Sequence, residues 1–201
     1  MRLGIIATAF AAMLVATPAL GQTDGLFAAS YKFEGEKRFD QAAAQIQPLA
    51  DQGHEFARLR LGWLNYSAAR YSDSIRFYNR VIDANPQTID GRLGLMLPLM
   101  AQKRWEEAAA QARQVLTISP AEYTAQVRLL ACQEALKQWP QMEQQARTLA
   151  AYYPSDATGL LYLARARAWL GRIPDAKAAY GQVLERFPSN DEARSYIAKN
   201  P

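Results

Sequence analysis

Cysteine and histidine are almost missing from this chain: its 201 residues hold one of each, Cys132 and His54. A disulfide scaffold needs cysteines in pairs and a zinc site needs three or four converging ligands, so both classes are excluded. Glycine (11) and proline (10) are too few for a collagen-like or low-complexity protein. No apolar run beyond the N-terminal segment approaches spanning length, and a mean hydropathy of −0.24 excludes a polytopic membrane protein. Charge is nearly balanced: 23 Lys and Arg against 19 Asp and Glu leave +4, too mild and too dispersed to indicate nucleic acid. Gly-rich phosphate loops, His-Glu-x-x-His and Gly-x-Ser-x-Gly are all absent from the sequence. The acids are spread one or two per predicted helix instead of converging as acid–base catalysis requires. The expectation is a non-enzymatic protein without metal or cofactor. What is present is core material, with 50% of residues hydrophobic and 21% charged.

The first 21 residues read as a cleavable signal peptide. Arg2 supplies the positive start, Leu3 to Val15 is apolar apart from Thr8, and Ala19-Leu20-Gly21 follows Pro18 as a small-x-small cleavage site. The apolar stretch is shorter than the roughly 20 residues of a spanning helix. Cleavage after Gly21 would release a soluble, periplasmic protein beginning at Gln22. Cys132, beside Leu129, Leu130 and Ala131, reads as a small buried hydrophobe with no internal disulfide partner.

A period of 34 residues governs the remainder. Pro86, Pro120, Pro154 and Pro188 are separated by 34 each time. The same step links Leu61, Leu95, Leu129 and Leu163; Val81, Val115, Leu149 and Val183; and Tyr71, Trp105, Trp139 and Ile173. Within a unit, Phe56, Leu59, Leu61 and Leu64, then Ile75, Tyr78, Val81 and Ile82, follow two successive helical periods. Ser72-Asp73 reads as the N-cap and first-turn acid of the second helix, and Pro140 and Pro174 suit a first helical turn.

These residues resemble the tetratricopeptide repeat family, whose 34-residue pattern is W-x2-L-G-x2-Y, A-x3-F and P. Leu61-Gly62, Ser74, Tyr78 and Pro86 match in one unit, and Ala176, Tyr180 and Pro188 in another. The resemblance implies an all-α, right-handed α-solenoid of about five helix-turn-helix repeats. The units fall near residues 23–54, 55–88, 89–122, 123–156 and 157–190, and residues 191–199 form a short capping helix. The first unit is two residues short, with His54 where proline would stand. Met96, Leu130 and Met142 replace small residues, so packing in the third and fourth units is expected to change. Pro98 inside a first helix is expected to kink it or open the groove.

In the family the first helix of each unit lines a concave surface, and the resemblance carries this onto Phe27, Tyr31, Phe56, Leu59, Trp63, Tyr66, Leu93, Leu97, Met100, Arg128, Tyr162, Arg165 and Trp169. Phe56, Leu59 and Leu93 also suit inter-unit core. Trp63, Tyr66 and Trp169 fall off the packing columns and point to exposure. Such a face suits an apolar strip of peptide or an amphipathic helix. Lysine and asparagine do not line it, so a carboxylate clamp is absent. The turns after the first helices carry a basic row, Lys37, Arg38, Arg70, Lys103, Arg104, Lys137 and Arg172. Cations favour a helix C-terminus, and stacked units would also align them as an edge for a polyanion such as peptidoglycan, polysaccharide or lipid head groups. The leading expectation is a scaffold for a protein or peptide partner in the bacterial cell envelope, with self-association open; the alternative is polyanion binding at the basic edge.

Overall fold

The computed structural model describes residues 20–201. The segment read as a signal peptide therefore lies outside the described residues except for its last two. Among the described residues there are eleven helices and no strand. They pair as α1 (Leu20–Gly35) with α2 (Phe39–Asp51), α3 (Glu55–Ser67) with α4 (Tyr71–Ala84), and α5 (Ile89–Ala101) with α6 (Trp105–Ile118). Then come α7 (Tyr123–Ala135) with α8 (Trp139–Tyr152), and α9 (Ala157–Trp169) with α10 (Ile173–Arg186). The short α11 (Asp191–Lys199) packs on α10. The molecule is thus the expected all-α solenoid of five helix-turn-helix repeats with a closing helix.

Each repeat turns in the same way. The residue after the first helix's C-cap is left-handed: Lys37, Ala69, Lys103 and Lys137 have φ of 57–59°, and Gly171 has φ 73°. The next backbone N–H reaches five residues back, Arg70 to Asn65 O (2.8 Å) and Gln138 to Gln133 O (2.9 Å), which closes a Schellman motif. That next residue (Arg38, Arg70, Arg104, Gln138 or Arg172) is also the N-cap of the second helix and gives it no side-chain cap. Arg70, not Ser72, therefore caps α4. Pro140 and Pro174 do occupy the first turns of α8 and α10.

Between repeats, the caps come from side chains. His54 Nδ1 accepts from Ala57 N–H (3.4 Å), Thr88 from Gly91 (3.1 Å), Asp156 from Thr158 (3.0 Å) and Asn190 from Ala193 (2.8 Å). Glu122 accepts from Ala125 in the same position. His54 thus stands in the capping column and not in the proline column. The two residues missing from the first unit are lost in this turn, where Gly53 at φ 92° makes the tighter bend.

Packing follows the 34-residue columns. Leu61, Leu95, Leu129 and Leu163 are at most 7% exposed, and Val81, Val115, Leu149 and Val183 at most 1%. The large residues at positions 96 and 130 are accommodated by exchange across each helix pair. Gly62 faces Tyr78 in the second repeat, whereas fully buried Met96 and Leu130 share cores with Ala112 and Ala146, which stand at Tyr78's position. The third repeat packs normally. In the fourth, where Leu130 and Met142 are both fully buried, α7 and α8 pack against each other less extensively than the two helices of any other repeat. Pro98 is buried within one turn of the end of α5, which runs on unbroken to Ala101, so it forfeits a single backbone bond near a terminus. Cys132 is buried as expected, and burial pushes its thiol up to about 11.

A candidate interaction face on the first helices

Consecutive first helices touch one another, α3 with α5, α5 with α7 and α7 with α9, while second helices of adjacent repeats approach far less. The stack therefore curves with its first helices inside. Every residue expected on that face is at least partly accessible, and Tyr31 (51%), Phe56 (45%), Trp63 (40%) and Trp169 (65%) are the most open. Phe56, a candidate for inter-unit core, is exposed. Phe27, Leu59, Tyr66, Leu93, Leu97, Met100, Arg128, Tyr162 and Arg165 are half-buried. Tyr66 is less open than its position off the packing columns implied, because its ring lies between Trp63 (5.7 Å) and Tyr71 (6.0 Å).

Two residues that sequence reasoning passed over fix the N-terminal half of the face. Arg60, only 5% exposed, bonds Glu34 Oε2 (2.9 Å) and Ser30 Oγ (3.0 Å), and its guanidinium lies 3.6 Å from the Tyr31 ring centroid. The other Glu34 oxygen accepts from Trp63 Nε1 at 2.5 Å. One carboxylate thus couples α1 to α3 and holds Arg60 and Trp63 in place, and Arg60 in turn covers the Tyr31 ring. Arg60 is the buried member of the pair and Glu34 the partly exposed one, so truncating Glu34 would leave a buried cation without its counter-charge. Phe27 extends the cluster, with ring centroids 5.1 Å from Phe56 and 5.5 Å from His54.

Further along, Tyr78 of α4 wedges between α3 and α5. A Cβ at Gly62 or Gly94 would stand 2.7 Å or 2.1 Å from its ring, so both glycines are needed for the close approach. Burial pushes its phenol well above the ordinary range. Arg128 donates to Leu93 O (2.6 Å). Toward the C-terminus, Arg165 is clamped by both oxygens of Glu192 (2.9 and 2.6 Å) and faces Glu134 (3.5 Å); the Glu192 bonds raise its pKa. Trp169 stacks on Trp139 with centroids 5.1 Å apart and planes 5° from parallel. The face is aromatic and aliphatic at one end and salt-bridged at the other.

The basic row lies along the turn edge, but its arginines sit at N-caps and are occupied. Arg38 pairs with Glu36 (2.6 Å), Arg70 with Asp40 (2.5 Å), Arg104 with Glu107 (2.6 Å) and Arg172 with Glu143. The dipole rationale of cations at a helix C-terminus is thus replaced by specific ion pairs. Lys37, Lys103 and Lys137 stand exposed at the left-handed positions. Glu143 also binds Arg147 (2.7 Å) and Arg167 (3.3 Å). Burial disfavours its charge, yet hydrogen bonds from Arg147, Arg172 and Arg167 outweigh that and hold it down to about 2. Among the described residues no His, Cys, Asp and Glu cluster suits a metal, and no helix is long and apolar enough to cross a membrane.

Two family models described as tetratricopeptide repeat match residues 29–88 and 158–190. No curated protein matches by sequence. Among solved structures, the crystal structure of MamA protein superposes with a TM-score of 0.74 at 13% identity, covering 85% of this chain and 94% of its own. A tetratricopeptide repeat protein from Parabacteroides merdae gives 0.77 at 12%, covering 89% and 72%. A thermophilic repeat protein of the same kind in Thermus thermophilus gives 0.58 at 15%, covering 89% and 98%. Identities this low establish shared architecture and nothing finer. With the matched repeats, the Schellman turns and the uninterrupted stack of helix pairs, the chain belongs to the tetratricopeptide repeat family and is built as a protein-interaction scaffold.

Proposed function

We propose that this scaffold works in the bacterial cell envelope as a non-enzymatic adaptor, holding an apolar strip of peptide or an amphipathic helix against its inner face. The observation that carries the reading is the set of exposed aromatics on α1 and α3. Tyr31, Phe56 and Trp63 are open to solvent, while Arg60 and Glu34 hold Tyr31 and Trp63 in fixed positions. Rigid, amphipathic rings lose little conformational freedom on binding, which is why they dominate interface energetics. Export rests on the N-terminal pattern of Arg2, the apolar run to Val15, Pro18 and Gly21.

The rival reading, a polyanion along the turn edge, has less to draw on because four of its five helix-capping positions carry arginines already paired with carboxylates. Two experiments test the proposal. Phe56→Ala with Trp63→Ala should leave the helical circular dichroism intact and lower recovery of crosslinked partners from an envelope extract at least tenfold. Unchanged recovery would remove the inner face from consideration. Residues 1–21 fused to alkaline phosphatase should yield active, exported enzyme; an inactive cytoplasmic fusion would end the envelope assignment.

A further inference from the structure

On the outer side of the stack, a recess of about 540 Å3 lies between α6, α7 and α8. Its floor includes Leu116 and Leu129, and its walls are carboxamides and hydroxyls, chiefly Gln133, Gln138, Gln144 and Gln145. Gln133 is 6% exposed, and its Oε1 is buried without a hydrogen-bond partner. A buried carbonyl left unpaired costs on the order of 1–3 kcal/mol, so this atom lacks a donor the site should supply.

The other repeats show what normally fills the place. Gln133 and Gln138 are the two ends of the fourth Schellman turn, and the equivalent pairs are Phe33–Arg38, Asn65–Arg70, Leu99–Arg104 and Arg167–Arg172. Arg38 covers the Phe33 ring at 4.6 Å. Arg70 Nε donates to Asn65 Oδ1 at 2.9 Å. Around Arg104 and its partner Glu107 the equivalent recess shrinks to about 190 Å3 over buried Leu99. Only the fourth repeat has glutamine in place of the arginine, and there the recess is open and the acceptor unpaired.

We propose that this recess binds an extended, uncharged peptide segment through its main-chain amides. The missing group is an N–H donor, since that is what Arg70 supplies to Asn65. A cationic guest is disfavoured because the lining holds one charged side chain, Arg113, and no acid. Carboxamides both donate and accept, as peptide groups do, and Gln145 is already oriented by its bond to Gln126 Oε1 (3.4 Å). The two leucines give the guest's small side chains an apolar floor. This site is separate from the inner face and does not depend on how that face is used.

The test is panning of a phage-displayed random dodecapeptide library on the full chain, with Gln138→Arg and Gln133→Leu as comparison targets and a glycan array as a second probe. Both variants copy residues that other repeats carry, so both should fold. Enriched clones should bind wild type at least tenfold better than either variant and should still bind Phe56→Ala/Trp63→Ala. No enrichment, equal binding to Gln138→Arg, or a saccharide in place of peptides as the guest that Gln138→Arg excludes would each overturn the proposal.

Discussion

Replacing Gly94 with alanine isolates the wedge made by Tyr78. The new Cβ would stand 2.1 Å from Cε1, 2.5 Å from Cζ and 2.7 Å from Cδ1 of a ring that is only 3% exposed. Retreat toward α3 is blocked, because the opposite side of the ring already lies against Gly62, where a Cβ would be 2.7 Å from Cζ. In a helix interior, glycine to alanine normally gains about 1 kcal/mol. Overpacking of a filled core costs about 1–3 kcal/mol, and overlap this deep with a ring pinned on both sides belongs at or above the top of that range. The expected net loss is therefore about 2 kcal/mol. With Tyr78→Ala already in place the clash is gone, and Gly94→Ala should instead stabilise by about 1 kcal/mol. The cycle then reports a coupling of about 3 kcal/mol, read from urea unfolding followed by far-ultraviolet circular dichroism. A Gly94→Ala protein within 0.5 kcal/mol of wild type, or an equal loss in both backgrounds, would refute the wedge.

Acid should weaken the fold through Glu143. Its carboxyl is held down from 4.5 to about 2, so its contribution is complete above pH 4.5 and disappears as pH falls toward 2. The loss amounts to up to about 3 kcal/mol, and Glu143→Gln should flatten stability measured across that window. The left-handed turns give a mirrored pair of outcomes in thermal melts. Lys103→Gly should raise stability by about 0.5–1 kcal/mol, and Gly171→Ala, with no atom within 4 Å of its added Cβ, should lower it by about 1 kcal/mol through backbone strain alone.

The solenoid was legible in the sequence because its core columns repeat one kind of residue. Leucine at 61, 95, 129 and 163 needs no interpretation beyond the period. Columns that repeat a role through different residues stayed hidden. His54, Thr88, Glu122, Asp156 and Asn190 do one capping job with five different residues, so the sequence alone puts the histidine in the proline's place. Exchange across a pair was equally invisible, since Met96 looks like a misfit until Ala112 is placed opposite it. On the candidate face, exposure of Trp63 and Trp169 could be read from their lying off the packing columns. The burial of Arg60 could not, because it depends on Glu34 and Tyr31, about 30 positions away on another helix. The weak dipole argument for the turn arginines lost to ion pairs that only three-dimensional adjacency reveals.

The fourth repeat differs from its neighbours in how loosely its two helices meet, and that has a mechanical meaning. A stack of similar units yields first where a unit is least tightly paired, and among the five repeats that place is the seam between α7 and α8. Tension transmitted through a bound cargo should therefore open the molecule in one place, leaving α1–α7 as one stiff arm and α8–α11 as the other. Reach and curvature would then be adjusted by a single joint instead of being shared along the whole ribbon.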